Sequence, residues 1–382
     1  MIRAAVYLAA EVRSFQRAEK TMEEVLGFKL SRSTIRRLAK EVGLELAKLH
    51  RSETSEGEAV VGEIAVVSCD GGRIRTRESG NGRGVIPSGE NGWREDKIAS
   101  FERMADNADY VAGNDACPTL PTSFQTVEKV SKIVEKPAFE LTVKQKSGRS
   151  IAYKGPRRIL RTVQASLTNS DEFGVTMERE AKRRGLYEAR RRAFIADGLN
   201  WNWTIWKEHF STFIPILDFI HAIQYVYSAS QTLFTNDNDA WALYTKLIQW
   251  TWGGKVEEVI VELRHNCQER GIEIESCTSD DDPHKPIADA IRYLTNNQAK
   301  MDYPRYRQMG LPITSASTES LVKQMNNRVK GTEMFWDDPD GAEAILQLRA
   351  ALLSEDDRLR IYLRKRAGVQ FVRRSTEAAI SA

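Results

Sequence analysis

Aspartates stand at the ends of three apolar, strand-like runs in this chain. EIAVVSCDGG contains Asp70, FIADGLNW contains Asp197, and IPILDFIHA contains Asp218. A carboxylate at the tip of a buried strand lies at the edge of a sheet, where it can reach an ion held in a cleft. Mg²⁺ prefers such oxygen ligands and keeps several of its waters, so one or two carboxylates per ion are enough. The three runs therefore predict a magnesium site.

A fourth carboxylate, Glu319, opens a helix-like stretch and completes a set suited to phosphodiester chemistry. Two ions about 4 Å apart can activate an attacking water or 3′-hydroxyl and stabilise the leaving oxygen. This requires one carboxylate between the ions and one on each side. We assign Asp70 to the bridge and Asp197 and Glu319 to the two sides. Taken singly, an Asp-Gly pair is also typical of a turn, and a Glu in a first helical turn is typical of a cap.

The helix that Glu319 opens carries a basic and polar stripe. Residues spaced four, seven, eight and eleven positions after Glu319 share one face, with Arg328 to the side. A lysine one turn after a metal-binding carboxylate can grip a phosphate. We expect this helix to contact DNA through Lys323, Asn327, Arg328 and Lys330. The alternative is a solvated helix with an ordinary Glu–Lys pair. Thr314, Ser315, Ser317 and Thr318 offer capping groups at its start.

Asp218 and His221 form an Asp-x-x-His pair. At this spacing both side chains are expected on one helix face, near the end of a central strand. No Cys or His around His221 has zinc spacing. The pair could orient a metal-bound water or the scissile phosphate without holding the metal itself. The alternative is that His221 is a structural helix residue.

The elements that position these residues change type along the chain. Residues 1–50 are predicted helical, with Ile35, Leu38 and Val42 on one face, Ser31 or Ser33 as the cap and Gly43 as the end. The basic residues on the other face are Arg32, Arg36, Arg37 and Lys40. This predicts either a helix-turn-helix unit with a basic recognition helix or a helical hairpin with a solvated basic face.

From about residue 60, strands alternate with helices, which predicts a mixed α/β (α+β) sheet covered by helices. A helix is expected around residues 124–135. Residues 237–310 show no strand signal, and their tryptophans, Trp241, Trp250 and Trp252, stand near the start. A last helix is predicted over residues 342–366.

Composition bounds the class of protein. The chain has 382 residues, 41% hydrophobic and 29% charged, which is typical of a globular protein, and a net charge of +3. No apolar run approaches the roughly 18 residues of a membrane span, and the N-terminus does not read as a secretory signal. Four scattered cysteines without a C-x-x-C pair fit neither a zinc ribbon nor a disulfide framework. This predicts that the protein is located in a reducing cytoplasm.

The order of these motifs resembles the DDE transposases. More narrowly, it is similar to the Mutator-like branch, which has a C/D-x-x-H motif after its second Asp, and to a bacterial insertion-sequence family of that branch, the Kra-type elements. The segments that carry the resemblance are SCDGG, FIADGLNWNW, ILDFIHA and TESLVKQMNNRVKGTEMFW, within roughly residues 60–350. Relatives of this type often begin with a zinc-ribbon-like segment. None is present here, so the helix-turn-helix candidate would do more of the end recognition.

The resemblance implies an RNase H-like sheet flanked by helices and interrupted by an all-helical insertion. It implies two Mg²⁺ (or Mn²⁺) ions at Asp70, Asp197 and Glu319, with Asp218 and His221 as an accessory pair. The implied domains are a helix-turn-helix-like unit at 1–58, the first part of the catalytic core at 59–236, the insertion at 237–312, and the final catalytic helix with a basic tail at 313–382.

The implied activity is hydrolysis at transposon ends, followed by attack of the freed 3′-hydroxyl on target DNA. Its partners would be both DNAs and further copies of the chain, at the nucleoid of a bacterial cytoplasm and away from membranes. Insertion tryptophans could stack on flipped bases or pack as core. Two alternatives stay open: a catalytically dead DNA-binding remnant, and an RNase H-like nuclease that cuts without joining.

Overall fold

The computed structural model describes residues 1–52, 63–76, 93–115, 117–142, 151–277, 279–330, 335–336 and 339–366. Its strands are β1 Ile64–Arg75, β2 Trp93–Ala105, β3 Arg157–Ser166, β4 Arg191–Ala196 and β5 Ile214–Leu217. The helices before the insertion are α1 Ile2–Glu11, α2 Phe15–Leu26, α3 Arg32–Arg51, α4 Val127–Val134, α5 Ser170–Arg183, α6 Asn200–His209 and α7 Phe219–Leu233. The remaining helices are α8 Asp237–Trp252, α9 Val256–Glu269, α10 Lys285–Asn297, α11 Tyr303–Gln308, α12 Ala316–Val329, α13 Pro339–Leu353 and α14 Arg358–Lys365.

The five strands form one mixed sheet in the order β3-β2-β1-β4-β5. The first three strands pair antiparallel, whereas β1, β4 and β5 run parallel. Parallel neighbours need crossover connections, and α5 and α6 lie in the connections that lead into β4 and β5. The sheet and its flanking helices confirm the predicted RNase H-like fold class.

Side chains alternate between the two faces of the sheet, so each face has its own core. On one face, Ala65, Val67 and Cys69 of β1 pack with Phe173 of α5 and Ile205 of α6. The other face is covered by α7 and the insertion helices toward β5, and by α12, α13 and the N-terminal helices toward β3. The candidate site lies on this second face.

The N-terminal helices share a core with the sheet. Ser31 caps α3 as predicted, because its hydroxyl oxygen accepts a hydrogen bond from the Thr34 N–H. The prediction that Gly43 ends this helix is wrong, since α3 continues to Arg51. A β-carbon at Gly43 would lie 2.2 Å from the backbone oxygen of Ala344. Gly43 is therefore the point where α3 and α13 come into close contact.

The described residues of the insertion form helices and their connections without a strand, as predicted, with α8 to α11 as its α-helices. Trp252 is 1% exposed and packs against Phe219 of α7, so base stacking by Trp252 is excluded in this arrangement. Trp241 and Trp250 are half-buried against the same core. None of the described helices is both long and apolar enough to cross a bilayer.

The last helical segment is divided into α13 and α14, not continuous as predicted. The break lies at Asp357, whose φ of 56° is in the left-handed region and cannot continue a right-handed helix. Of the predicted basic tail, Arg364 and Lys365 end α14 and Arg366 is its C-cap, whereas Arg373 and Arg374 lie outside the described residues.

Candidate active site at the strand ends

Three aspartates occupy one level of the parallel part of the sheet. Cys69 of β1 pairs with Ala196 of β4, which in turn pairs with Leu217 of β5. The next residues in the three segments are Asp70, Asp197 and Asp218. Neighbouring strands are about 4.8 Å apart, so this register brings the three aspartates into one row across the sheet.

Asp70 differs from the prediction in its local structure. The sequence predicted the end of a strand there, but β1 runs on to Arg75 and Asp70 pairs with Ile98 of β2. What ends at Cys69 is the parallel pairing with β4. Asp70 is therefore paired with β2 along one edge of β1, and along the other edge it lies just beyond the last residue paired with β4.

The carboxylates of Asp70 and Asp197 are positioned by short hydrogen bonds. The Gly71 N–H donates to Oδ1 of Asp70 at 2.6 Å. Oδ1 of Asp197 accepts from the Leu199 N–H at 3.1 Å and from the Asn202 side-chain amide at 2.7 Å. Burial and the charge of Asp197 raise the pKa of Asp70 to about 6, and burial raises the pKa of Asp197 as well. The site therefore holds closely spaced, poorly solvated negative charge.

Glu319 and His221 face this row from two helices. His221 lies in the first turn of α7 and Glu319 in the first turn of α12, with 3.9 Å between Nε2 and Oε1. Together with Asp218 they offer three potential ligand atoms within 4.8 Å of one another. Burial raises the pKa of Glu319, and the nearby charge of Asp218 adds to this effect.

Asp218 has a different position from the one predicted. It follows the edge strand β5, not a central strand, and it is the N-cap of α7, not a residue on a helix face. Its side chain is fully buried. Oδ1 accepts from the Ile220 N–H at 2.7 Å, and Oδ2 accepts from the N–H of Ser315 at 2.8 Å and from the Ser315 hydroxyl. Asp218 thus ties the end of β5 to the start of α12.

The donor set fits a hard divalent cation. Asp70, Asp197 and Glu319 supply carboxylate oxygens, and within the described part of the chain none of them forms an ion pair with a lysine or arginine. Three partly buried carboxylates without such partners are costly unless another positive charge compensates them. Their ligand atoms do not form one 4.8 Å group among the described residues. A two-ion site does not require this, because only the bridging carboxylate contacts both ions.

The residues predicted to contact DNA separate into two groups. Lys323, Asn327 and Lys330 are exposed on or just after α12, and the Lys323 ammonium lies 3.1 Å from Glu135 in a solvent-exposed pair. The prediction for Arg328 is wrong. It is 1% exposed, and its guanidinium donates to the backbone oxygen of Ala9 at 2.7 Å.

The predicted basic residues of α3 remain largely accessible. Arg32 and Arg37 are exposed, whereas Arg36 is half-buried. Ile35 and Leu38 of the same helix pack into the shared core.

Three positioning residues were not predicted as part of the site. Asn202 reaches Asp197 from α6, and the Tyr293 hydroxyl donates to the backbone oxygen of Asp197 at 2.6 Å from α10. Ser315 was considered only as a helix cap, but its hydroxyl donates to Asp218. The spacing of Asn202 after Asp197 is a usable sequence signal. Tyr293 has none, because the contact depends on how the insertion folds back.

No family model and no curated protein match the sequence. Among solved structures, a chain of the Drosophila P element transposase strand transfer complex is similar to this chain, with a TM-score of 0.40 and 10% sequence identity. The similarity covers 94% of this chain and 92% of that chain. A similarity of this size carries no assignment of function, which has to be inferred from the residues of this chain.

Proposed function

We propose that the chain is a DDE DNA transposase of the Mutator-like, Kra-type insertion-sequence branch, which cleaves transposon ends and joins them to target DNA. One observation carries the proposal. Asp70 and Asp197 lie in a single row across two parallel strands, and His221 and Glu319 face them from α7 and α12. This arrangement of carboxylates supports phosphodiester cleavage with two ions.

Asp70, Asp197 and Glu319 would hold two Mg²⁺ or Mn²⁺ ions, with Asp70 as the bridge. When bound, such ions activate the attacking oxygen and stabilise the leaving one. The hydrogen bonds from Gly71 and Asn202 keep Asp70 and Asp197 in fixed orientations before any ligand arrives. Both can therefore present their remaining oxygens to the cleft without reorganisation.

His221 has the position of an accessory group. Its imidazole lies beside Glu319 and within electrostatic range of Asp70 and Asp197. From there it can orient a water or a phosphate oxygen in the cleft. Asp218 would act indirectly, because both of its oxygens already accept hydrogen bonds from the protein.

DNA would approach along α12, where Lys323, Asn327 and Lys330 are exposed past Glu319. Lysines at such positions grip phosphates and fix the register of the duplex. The exposed arginines of α3, Arg32 and Arg37, would contact the transposon ends as part of a helix-turn-helix unit within residues 1–58. We place the active protein at the nucleoid of a bacterial cytoplasm, as a homo-oligomer on paired ends.

A cleavage assay tests the proposal and separates it from two alternatives. Supercoiled plasmid carrying the DNA that flanks this coding region is incubated with the protein, with and without Mg²⁺. Metal-dependent nicking and joining by the wild type, both lost in Asp197→Asn, are expected. Asp109→Asn, at an exposed position paired with Lys154, is the matched control and should keep both activities.

Other outcomes of this assay would indicate one of the two alternative functions or contradict the site. A wild-type protein that binds DNA without any metal-dependent cleavage would be a catalytically dead remnant. Nicking without joined products would indicate an RNase H-like nuclease. Cleavage that survives in Asp197→Asn, Asp70→Asn and Glu319→Gln would contradict the assignment of the site itself.

A further inference from the structure

A second group of potential metal ligands lies in the insertion. Cys277, Asp282 and His284 offer ligand atoms that are all within 4.8 Å of one another. They belong to the segment between a short 3-10 helix, Ile274–Ser276, and the start of α10. This group shares no residue with the carboxylate site and has a different chemical character.

Local structure brings these three side chains together. Oδ1 of Asp282 accepts a hydrogen bond from the His284 N–H at 2.8 Å, which closes a tight turn just before α10. His284 is the N-cap residue of α10, and its Nδ1 lies 3.8 Å from Oδ1 of Asp282. Cys277 is the C-cap of the 3-10 helix and is 5% exposed, with its thiol donating to the backbone oxygen of Glu273 at 3.3 Å.

The three groups line a cavity of about 490 Å³ that an ion and its waters can enter. Arg270 also lines this cavity, but its guanidinium stacks on Phe234 at 4.2 Å and donates to the backbone oxygen of Asn266. Within the described residues, Asp282 has no lysine or arginine ion pair. The ligand group therefore has no cationic side chain already bound in the place of a metal.

The donor types select the kind of ion. One thiolate, one imidazole and one carboxylate suit Zn²⁺ and similar transition-metal ions, whereas Mg²⁺ takes oxygen ligands only. Three protein ligands leave one tetrahedral position, which a water can fill. Glu273 also lines this cavity.

We propose that Cys277, Asp282 and His284 bind one Zn²⁺ ion that fixes the start of α10. The thiol of Cys277 releases its proton on binding, the imidazole binds in its neutral form, and the fourth ligand is water. The ion would secure a helix that also supports the candidate active site, because Tyr293 of α10 donates its hydroxyl hydrogen bond to the backbone oxygen of Asp197.

Cobalt binding to the full-length protein tests this directly. Co²⁺ bound by a thiolate gives an intense near-ultraviolet charge-transfer absorption that carboxylate and imidazole ligands do not produce. The titration uses the Glu319→Gln background, so that the group of Asp218, His221 and Glu319 does not compete. We expect about one equivalent of Co²⁺ to produce the absorption, and about one equivalent of Zn²⁺ to abolish it.

Matched variants locate the ligand. Cys277→Ser, which is nearly isosteric, should lose the absorption, and His284→Ala should weaken Co²⁺ binding. Cys117→Ser, which alters another buried thiol that donates to a backbone oxygen, should keep it. Zn²⁺ should raise the Tm of the Cys117→Ser protein but not of Cys277→Ser.

The proposal is overturned if the chain gives no thiolate–cobalt absorption, or if the absorption persists in Cys277→Ser. The Tm values of Cys277→Ser and the parent protein, both measured in chelator, show whether the variant is correctly folded. If the Tm of Cys277→Ser in chelator equals that of the parent protein, the variant is folded, and its loss of the absorption reflects the missing ligand. If it melts earlier, the His284→Ala protein supplies the decisive titration, and unchanged Co²⁺ affinity in that variant would overturn the proposal.

Discussion

The carboxylate of Asp218 accepts hydrogen bonds from both the backbone N–H and the hydroxyl of Ser315. This contact joins the end of β5 to the start of α12, one helical turn before Glu319. The position of Glu319 over the aspartate row therefore depends on a fully buried residue whose two carboxylate oxygens already accept hydrogen bonds from the protein.

Asp218→Asn should lower both stability and activity, because the asparagine amide would place an N–H donor against the N–H and hydroxyl donors of Ser315. We expect a loss of about 2–3 kcal/mol in the free energy of unfolding and a large drop in the cleavage rate. Ser315→Ala removes one of these donors and leaves the backbone contact, so its cost should be about 1 kcal/mol. Denaturant unfolding and the plasmid assay measure the two effects. Equal stability of Asp218→Asn and the wild type would contradict this role.

His221→Ala should slow cleavage by roughly ten- to a hundredfold, since the residue orients groups in the cleft without holding an ion alone. The loss should be much smaller than that of Asp70→Asn, which is expected to reach several orders of magnitude. Single-turnover cleavage rates at saturating Mg²⁺ provide the comparison. If the His221→Ala protein cleaved at the wild-type rate, His221 would have only a structural role.

Metal affinity should depend on pH through Asp70. Its pKa of about 6 means that a proton competes with the ion at lower pH. Mn²⁺ affinity should therefore change little above about pH 7 and should fall by up to about tenfold for each pH unit below 6. Titrations followed by the electron paramagnetic resonance of free Mn²⁺ measure this. An affinity that is constant from pH 5 to pH 8 would be inconsistent with the buried carboxylate pair.

The same raised pKa predicts how stability varies with pH when no metal is bound. Between the ordinary value of 3.8 and about 6, the folded state keeps a proton on Asp70 that the unfolded chain has released. The contribution of Asp70 to stability therefore falls as the pH rises through this window. Asp70→Asn should remove that dependence and raise the Tm in chelator at neutral pH. A lower Tm for Asp70→Asn at neutral pH would show that the charge of Asp70 does not destabilise the folded state.

Two classes of basic residue on α12 should respond differently to substitution. Lys323→Ala and Lys330→Ala should weaken DNA binding at all sequences and lower the salt dependence by about one unit each, with the fold unchanged. Arg328→Ala should instead destabilise the protein by about 2 kcal/mol or more, since its guanidinium packs over Phe15 and Trp336. Binding titrations at several salt concentrations, with Lys154→Ala as the exposed control, distinguish the classes.

Much of the sheet was predictable because its strands carry their own local signals. Apolar runs of the right length, each with a following aspartate, marked β1, β4 and β5, and the helical period marked α3 and α7. The residues of the candidate site were found for the same reason, since Asp70, Asp197 and Asp218 each end or interrupt such a run. Errors arose where a local pattern is ambiguous. Gly43 reads as a helix end by propensity, but the structure uses its missing side chain for contact with α13.

The amino-acid sequence by itself determined which segments become strands and helices and which side chains could bind an ion, because periodicity and residue type act over a few neighbouring positions. Only the tertiary structure decided which of these groups meet. Strand register set Asp70 beside Asp197, and the packing of α12 on α1 buried Arg328 while leaving Lys323 exposed. The reach of Tyr293 to Asp197 depends on how the insertion folds back, which no local spacing encodes.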